Sequence, residues 1–222
     1  MKKTSAQIQP SNMNKNILVL ISLFFVNFIQ AQQTAVTETG EQVILFKDGT
    51  WKYQNEEKQI ETEIPTNSIA FKKEAESTFL LKSNKVNVGF WLNPKMWTFK
   101  KGNEKDAAEY KLQLKAGDLY GMIISEKVEI PLETLKSIAL NNGRKAAPDL
   151  KITKEEYRIV NGLKVLLLQM NGTMEGIKFS YYGYYFSNTN GTVQFVTYTS
   201  TNLIASYLPK IEVLLNGIVE LN

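Results

Sequence analysis

The 222-residue chain contains no cysteine and no histidine. Without cysteine there is no disulfide to staple a fold, no thiol nucleophile and no lipobox for a bacterial lipid anchor. Without histidine the usual general base near neutral pH is missing. Ser-His-Asp and Cys-His catalysis are thereby excluded, as are imidazole zinc sites. The chain also has no Walker loop, no Rossmann fingerprint and no G-x-S-x-G. Internal repeats and low-complexity segments are absent too.

What remains is an ordinary globular composition, 43% apolar and 22% charged, with enough length to bury a core. The first residues differ from the rest. Lys2, Lys3 and Lys15 precede an apolar run from Ile17 to Ile29, broken only by Ser22 and Asn27, and small Ala31 follows in "QAQQ". A basic segment, a short apolar segment and a small residue predict a secretory signal peptide over residues 1–31. The run is too short for the roughly 20 residues that span a bilayer. Met13 offers an alternative start with a more usual basic segment. Removing residues 1–31 takes away three lysines and no acids, so 26 basic against 22 acidic residues becomes 23 against 22, and +4 becomes +1. That balance argues against nucleic-acid binding. The expected location is the bacterial periplasm or exterior, with no transmembrane or lipid anchor after cleavage.

The stretch "VILFKDGTWKYQ" predicts a hairpin within a small β-meander over residues 32–54. With Asp48-Gly49 as a two-residue turn, Phe46 faces Trp51 and Ile44 faces Tyr53. A lone hairpin is marginal, so this apolar face calls for cover from the main domain or a partner. Asp48 lacks the rest of a calcium loop and is read as turn chemistry. Residues 55–68 read as a polar, acidic-leaning linker.

The main domain is expected over residues 69–222. "STFLLK" and "VNVGFWLN" read as strands, "NPKMW" as a turn and "KGNEKD" as a loop. "AEYKLQLK" alternates, with Ala108, Tyr110, Leu112 and Leu114 opposite Glu109, Lys111, Gln113 and Lys115. Pro131 opens a predicted helix that Gly143 would cap. Strands follow in "ITKEEYRIV", "LKVLLLQM", "GIKFSYYGYYFS" and "TVQFVTYT", punctuated by "NG", "NGTMEG" and "NTNG". Ile204, Tyr207, Leu208, Ile211, Leu214, Leu215 and Ile218 make a helical stripe, with Pro209 kinking it or opening its main part. Two strands are apolar on both faces: Leu163, Val165 and Leu167 against Leu166, Leu168 and Met170, then Phe179, Tyr181 and Tyr185 against Tyr182, Tyr184 and Phe186. Such strands belong mid-sheet with cover on both sides. The expected class is α+β, a largely antiparallel central sheet flanked by helices in an α/β/α sandwich.

This order of elements resembles the PsbP-like fold of a photosystem II extrinsic subunit and small bacterial exported proteins. The resemblance rests on "VGFWLNPKMW", "IISEKVEIPLETLKSIAL", "EYRIVNGLKVLLLQM" with "GIKFSYYGYYF", and "VQFVTYT…LPKIEVLLNGI". It implies an accessory or assembly factor and carries over no residue roles. "GxxVILFxDGTWxY" looks like a short unit attached to exported bacterial proteins of several kinds.

Individual residues favour packing over chemistry. The run Tyr181, Tyr182, Tyr184, Tyr185 and Phe186 reads as a two-sided core strand before a stacking site. Trp91 and Trp97, flanking Pro94, read as packing before a cleft mouth. Arg144 and Lys145 suit a helix C-terminus more than an anion site. Glu155 and Glu156 point to opposite faces, poor geometry for a carboxylate pair. Asn171 and Asn190 match the glycosylation sequon but are expected in hairpin turns. No residue is assigned as catalytic or metal-binding, none can be named for a cofactor, and no cofactor is expected. The leading expectation is an exported, non-catalytic binding or assembly protein with a protein partner or small ligand. The alternatives are a hydrolase using carboxylates or a Ser-Lys dyad, and a glycan or cell-wall recognition module.

Overall fold

The computed structural model describes residues 33–36, 42–46, 49–53, 63–103 and 106–221. The expected signal peptide, the turn residue Asp48 and most of the expected linker lie outside them. The chain divides into two units, Met1–Thr62 and Glu63–Asn222.

The smaller unit is an antiparallel meander of β1 (Gln33–Val36), β2 (Gln42–Leu45) and β3 (Trp51–Tyr53). Its register differs from the two-residue-turn expectation. Leu45 pairs with Trp51 and Val43 with Tyr53, while the Phe46 N–H donates to the Thr50 carbonyl at 2.8 Å. Three residues therefore lie in the loop, with Gly49 at φ 85°. This is the three-residue alternative, in which glycine takes the left-handed position at little cost. A one-residue slip exchanges faces: Leu45, Trp51 and Tyr53 now share one side, and Ile44 and Phe46 share the other with Lys52. Trp51 and Tyr53 meet edge to face at 5.1 Å.

The larger unit begins earlier than its composition suggests. Thr66–Ser68, counted with the linker, lie in β4 (Thr66–Phe71). Then come β5 (Phe79–Lys82), β6 (Val88–Leu92), β7 (Trp97–Lys101), β8 (Tyr110–Leu114) and β9 (Tyr120–Glu126). Helix α1 (Leu132–Arg144) precedes β10 (Lys151–Val160), β11 (Leu163–Met174), β12 (Ile177–Asn188) and β13 (Gly191–Ser200). A 3-10 turn then leads into α2 (Ile204–Leu215), and β14 (Ile218–Glu220) follows. Eight strands form one sheet in the order β4-β10-β11-β12-β13-β9-β8-β7. It is antiparallel except where β4 runs parallel to β10. A second sheet has the order β14-β6-β5. The unit is thus mostly sheet, with two helices among the described residues.

The two-sided strands sit mid-sheet. On one face Val165, Leu167, Tyr182, Tyr184 and Phe195 pack with Phe90 of the second sheet and with Ile211, Leu214 and Leu215 of α2. On the other face Leu166, Leu168, Met170 and Tyr185 pack with Leu135 and Ala139 of α1. Pro209 lies inside α2.

Three local expectations are corrected. Trp97, read as the end of a turn, and Lys101, read as the start of a loop, are the two ends of edge strand β7, paired with β8 from Trp97↔Leu114 to Lys101↔Tyr110. Gly143 does not cap α1 but sits in its last turn, where a Cβ would lie 2.3 Å from Leu150 Cδ2. It is there for close packing. Asn171 is not in a turn: it pairs with Ser180 inside β11–β12, whose tip is Glu175-Gly176.

Candidate functional site

Two buried polar clusters and one open stretch of sheet concentrate the chemistry of the larger unit. The first cluster centres on Arg158 of β10, whose side chain is 4% exposed. Its Nε donates to Glu156 Oε1 at 2.5 Å, and its Nη1 to Tyr184 Oη at 2.9 Å and Glu212 Oε1 at 3.0 Å. Tyr182 Oη donates to the same Glu212 oxygen at 3.0 Å. The guanidinium also lies 4.4 Å from the centroid of the Phe71 ring. Two residues apart on β10, Glu156 and Arg158 share a face, and α2 brings Glu212 down on Arg158. The network runs on through Tyr184 Oη to Asn216 Oδ1, and Asn161 Nδ2 donates to the Asn216 and Ile218 carbonyls. It ties the end of α2 to the sheet.

Burial opposes the Arg158 charge, but Tyr184, Tyr182 and Glu156 outweigh it and hold its pKa above the ordinary value. Burial likewise pushes Glu156 up, and the Arg158 guanidinium more than reverses this, leaving it below the usual carboxylate range. Burial raises Tyr184 to about 12. With its donors and acceptors turned on one another, the cluster does structural work.

The second cluster holds Glu109, the exception to the wet face expected of its strand. It is buried and accepts from the Asn84 N–H at 2.6 Å and Ser83 Oγ at 2.7 Å. Burial raises its pKa, but these hydrogen bonds outweigh it and the value is lowered. The carboxylate pins the β5–β6 turn to the main sheet.

The open stretch lies on the α1 face. Helix α1 packs on β11 and β12, and the same face continues over β13, β9, β8 and β7. Strand register lines up one row there: Thr98, Gln113, Tyr120, Tyr198, Tyr181 and Met170 are successive cross-strand partners. Tyr120 and Tyr198 stack at 5.5 Å with 21° between planes, and Tyr181 meets Tyr198 edge to face at 6.0 Å. All three tyrosines are half-buried. Thr98, Lys100, Lys111, Gln113, Tyr120 and Tyr198 line a groove of about 270 Å³.

The residues singled out by sequence separate accordingly. Tyr182, Tyr184, Tyr185 and Phe186 are buried core, as expected, and Tyr181 alone joins the open row. Trp97 is buried, and Trp91 lies under the Lys73 amine at 5.1 Å. Arg144 donates to the Leu150 carbonyl at 3.0 Å, closing the turn after α1. Glu155 pairs with Lys136 of α1 at 2.9 Å and Glu156 with Arg158 on the opposite face, so they form no carboxylate dyad. Asn190 sits in the turn before Gly191, its N–H bonded to Asn188 Oδ1. Among the described residues no serine hydroxyl meets a lysine amine, and no group of three acidic side chains is placed to hold a metal. Sequence reading missed Tyr120, Tyr198 and Lys100 as site residues. Their signal was the alternation of three separate strands, and only register joins them.

The fold of the larger unit is PsbP-like. PsbP of the cyanobacterium Synechocystis sp. PCC 6803 superposes with a TM-score of 0.50 at 12% identity, covering 66% of this chain and 94% of that one. LpqN of Mycobacterium tuberculosis, involved in cell envelope biogenesis, aligns with a TM-score of 0.46 at 9% identity over 65% of this chain and 90% of its own. A Pseudomonas aeruginosa protein of unknown function gives 0.42 at 12% identity, over 65% and 97%. No family model and no curated protein matches the sequence. Likeness at this identity concerns fold alone.

Proposed function

We propose that the protein is an exported, non-catalytic accessory protein that binds its target through the open stretch bearing Tyr120, Tyr198 and Tyr181. One observation carries this reading: the Arg158 and Glu109 clusters spend their polar groups internally, whereas three tyrosines in register stay half-exposed beside a groove. Tyrosine offers a flat apolar ring with a polar tip, which suits recognition at a wet surface. In this reading the sheet, held between α1 and α2 as a sandwich, is a rigid platform. Residues 1–31 are removed on export, and the DGTW hairpin is a separate unit ahead of the larger one.

A thermal-shift panel of sugars, lipids, metal ions and cell-wall fragments, with mass spectrometry of each mixture, tests the reading. A ligand at about a hundred times its Kd adds about 2.7 kcal/mol to stability. Tyr198→Ala should abolish the shift. Chemical conversion of a panel member overturns the non-catalytic reading. A shift indifferent to Tyr198→Ala overturns the site, and a flat panel overturns small-ligand binding.

A further inference from the structure

Beside the tyrosine row lies a pair of like charges. Lys100 and Lys111 are direct cross-strand partners on β7 and β8, both exposed on the face that carries Tyr120 and Tyr198. Like charges directly opposite one another destabilise a sheet. Asp106 contacts Lys111 at 2.8 Å, and Lys100 as well as Lys111 helps to hold its pKa down, so one carboxylate serves both lysines. The three groups leave one positive charge at the wall of the groove. Gln113 and Thr98 add an amide and a hydroxyl to the same floor.

We infer that this groove binds an acidic polysaccharide, its sugar rings against Tyr120 and Tyr198 and its carboxylates on Lys100 and Lys111. The inference rests on the reading above that the open stretch is the binding surface. Several features favour a hydrated polymer. The row crosses five strands from Thr98 to Tyr181, about 19 Å at the usual strand spacing, and so offers successive subsites. Its lining mixes rings with amide, hydroxyl and ammonium groups, whereas a protein interface is apolar and depleted of charge at its centre. The excess positive charge supplies the complementarity that selects an acidic chain over a neutral one.

Affinity electrophoresis of the protein through gels containing polygalacturonate or alginate, each beside its methyl-esterified form, tests this. Retardation is expected in the acidic gels and about tenfold weaker binding to the esters. Lys100→Glu, on an exposed side chain, should weaken acidic binding about tenfold, with circular dichroism checking the fold. Tyr198→Ala should weaken it further, with circular dichroism checking that the fold persists. Equal binding of acid and ester, insensitive to Lys100→Glu but lost in Tyr198→Ala, overturns the acidic ligand and leaves the surface standing. Binding untouched by either variant overturns the groove as the site. Absence of retardation in every gel overturns the polysaccharide class, and the panel described above then decides the broader reading by itself.

Discussion

Replacing Arg158 with methionine removes the centre of the network between β10 and α2. Removing one partner of a buried ion pair costs about 3–5 kcal/mol, because the other charge stays buried without compensation. Here two carboxylates would be left. Glu156 is 15% exposed and keeps Lys154 at 3.8 Å, and Glu212 is 32% exposed and keeps the Tyr182 hydroxyl. Each therefore retains some solvation or a partner, which places the loss at the low end, about 3 kcal/mol. For a unit of ~160 residues that lowers Tm by about 6–12 °C. The assay is thermal and urea unfolding followed by circular dichroism. The companion variant, Arg158→Met with Glu156→Gln and Glu212→Gln, removes all three charges and should melt within about 1 kcal/mol of the parent. Loss below about 1 kcal/mol for Arg158→Met would refute the reasoning. So would a triple variant no more stable than the single one, which would mean that packing of the arginine stem rather than its charge holds the helix.

Further outcomes follow from the same geometry. Glu109 and Glu156 have folded pKa values below 4.5, so their stabilisation is present above that pH and is lost as pH falls through the folded values. The urea midpoint should therefore drop below about pH 4.5, and less steeply in Glu156→Gln. At the alkaline end the sign reverses. Burial raises Tyr157, to which Glu133 is hydrogen-bonded, and Tyr184 to about 12 from 10.0. Their stabilisation is full below pH 10 and is lost between 10 and about 12, so the urea midpoint should fall across that range, and less steeply in Tyr157→Phe. Gly143→Ala should destabilise by about 1 kcal/mol despite alanine's helix propensity, because the new methyl meets buried Leu150. A higher Tm in that variant would show that Leu150 can give way.

The sequence by itself determined the central strands of the larger unit. Period-two alternation with both faces apolar marks β11 and β12 as central strands, because residues one apart point to opposite sides of a sheet. The apolar faces of α1 and α2 follow from helical spacing in the same way. The absence of histidine and cysteine needs no structure to read. Tertiary structure decided the rest. Arg158 looks like a solvated charge in "EEYRIV", and only docking of α2, 54 residues later, makes it a buried centre. The DGTW hairpin admits a two- or a three-residue loop from the same dipeptide, and one residue of slip exchanges its faces. Gly143 matches the chemistry of a helix cap, but Leu150 from the following loop needs its missing side chain. The groove is the clearest case. Thr98, Gln113, Tyr120, Tyr198 and Tyr181 come from five strands, and alternation tells only which residues share a face within a strand. Which of them stand side by side depends on register and strand order, and those are properties of the folded sheet.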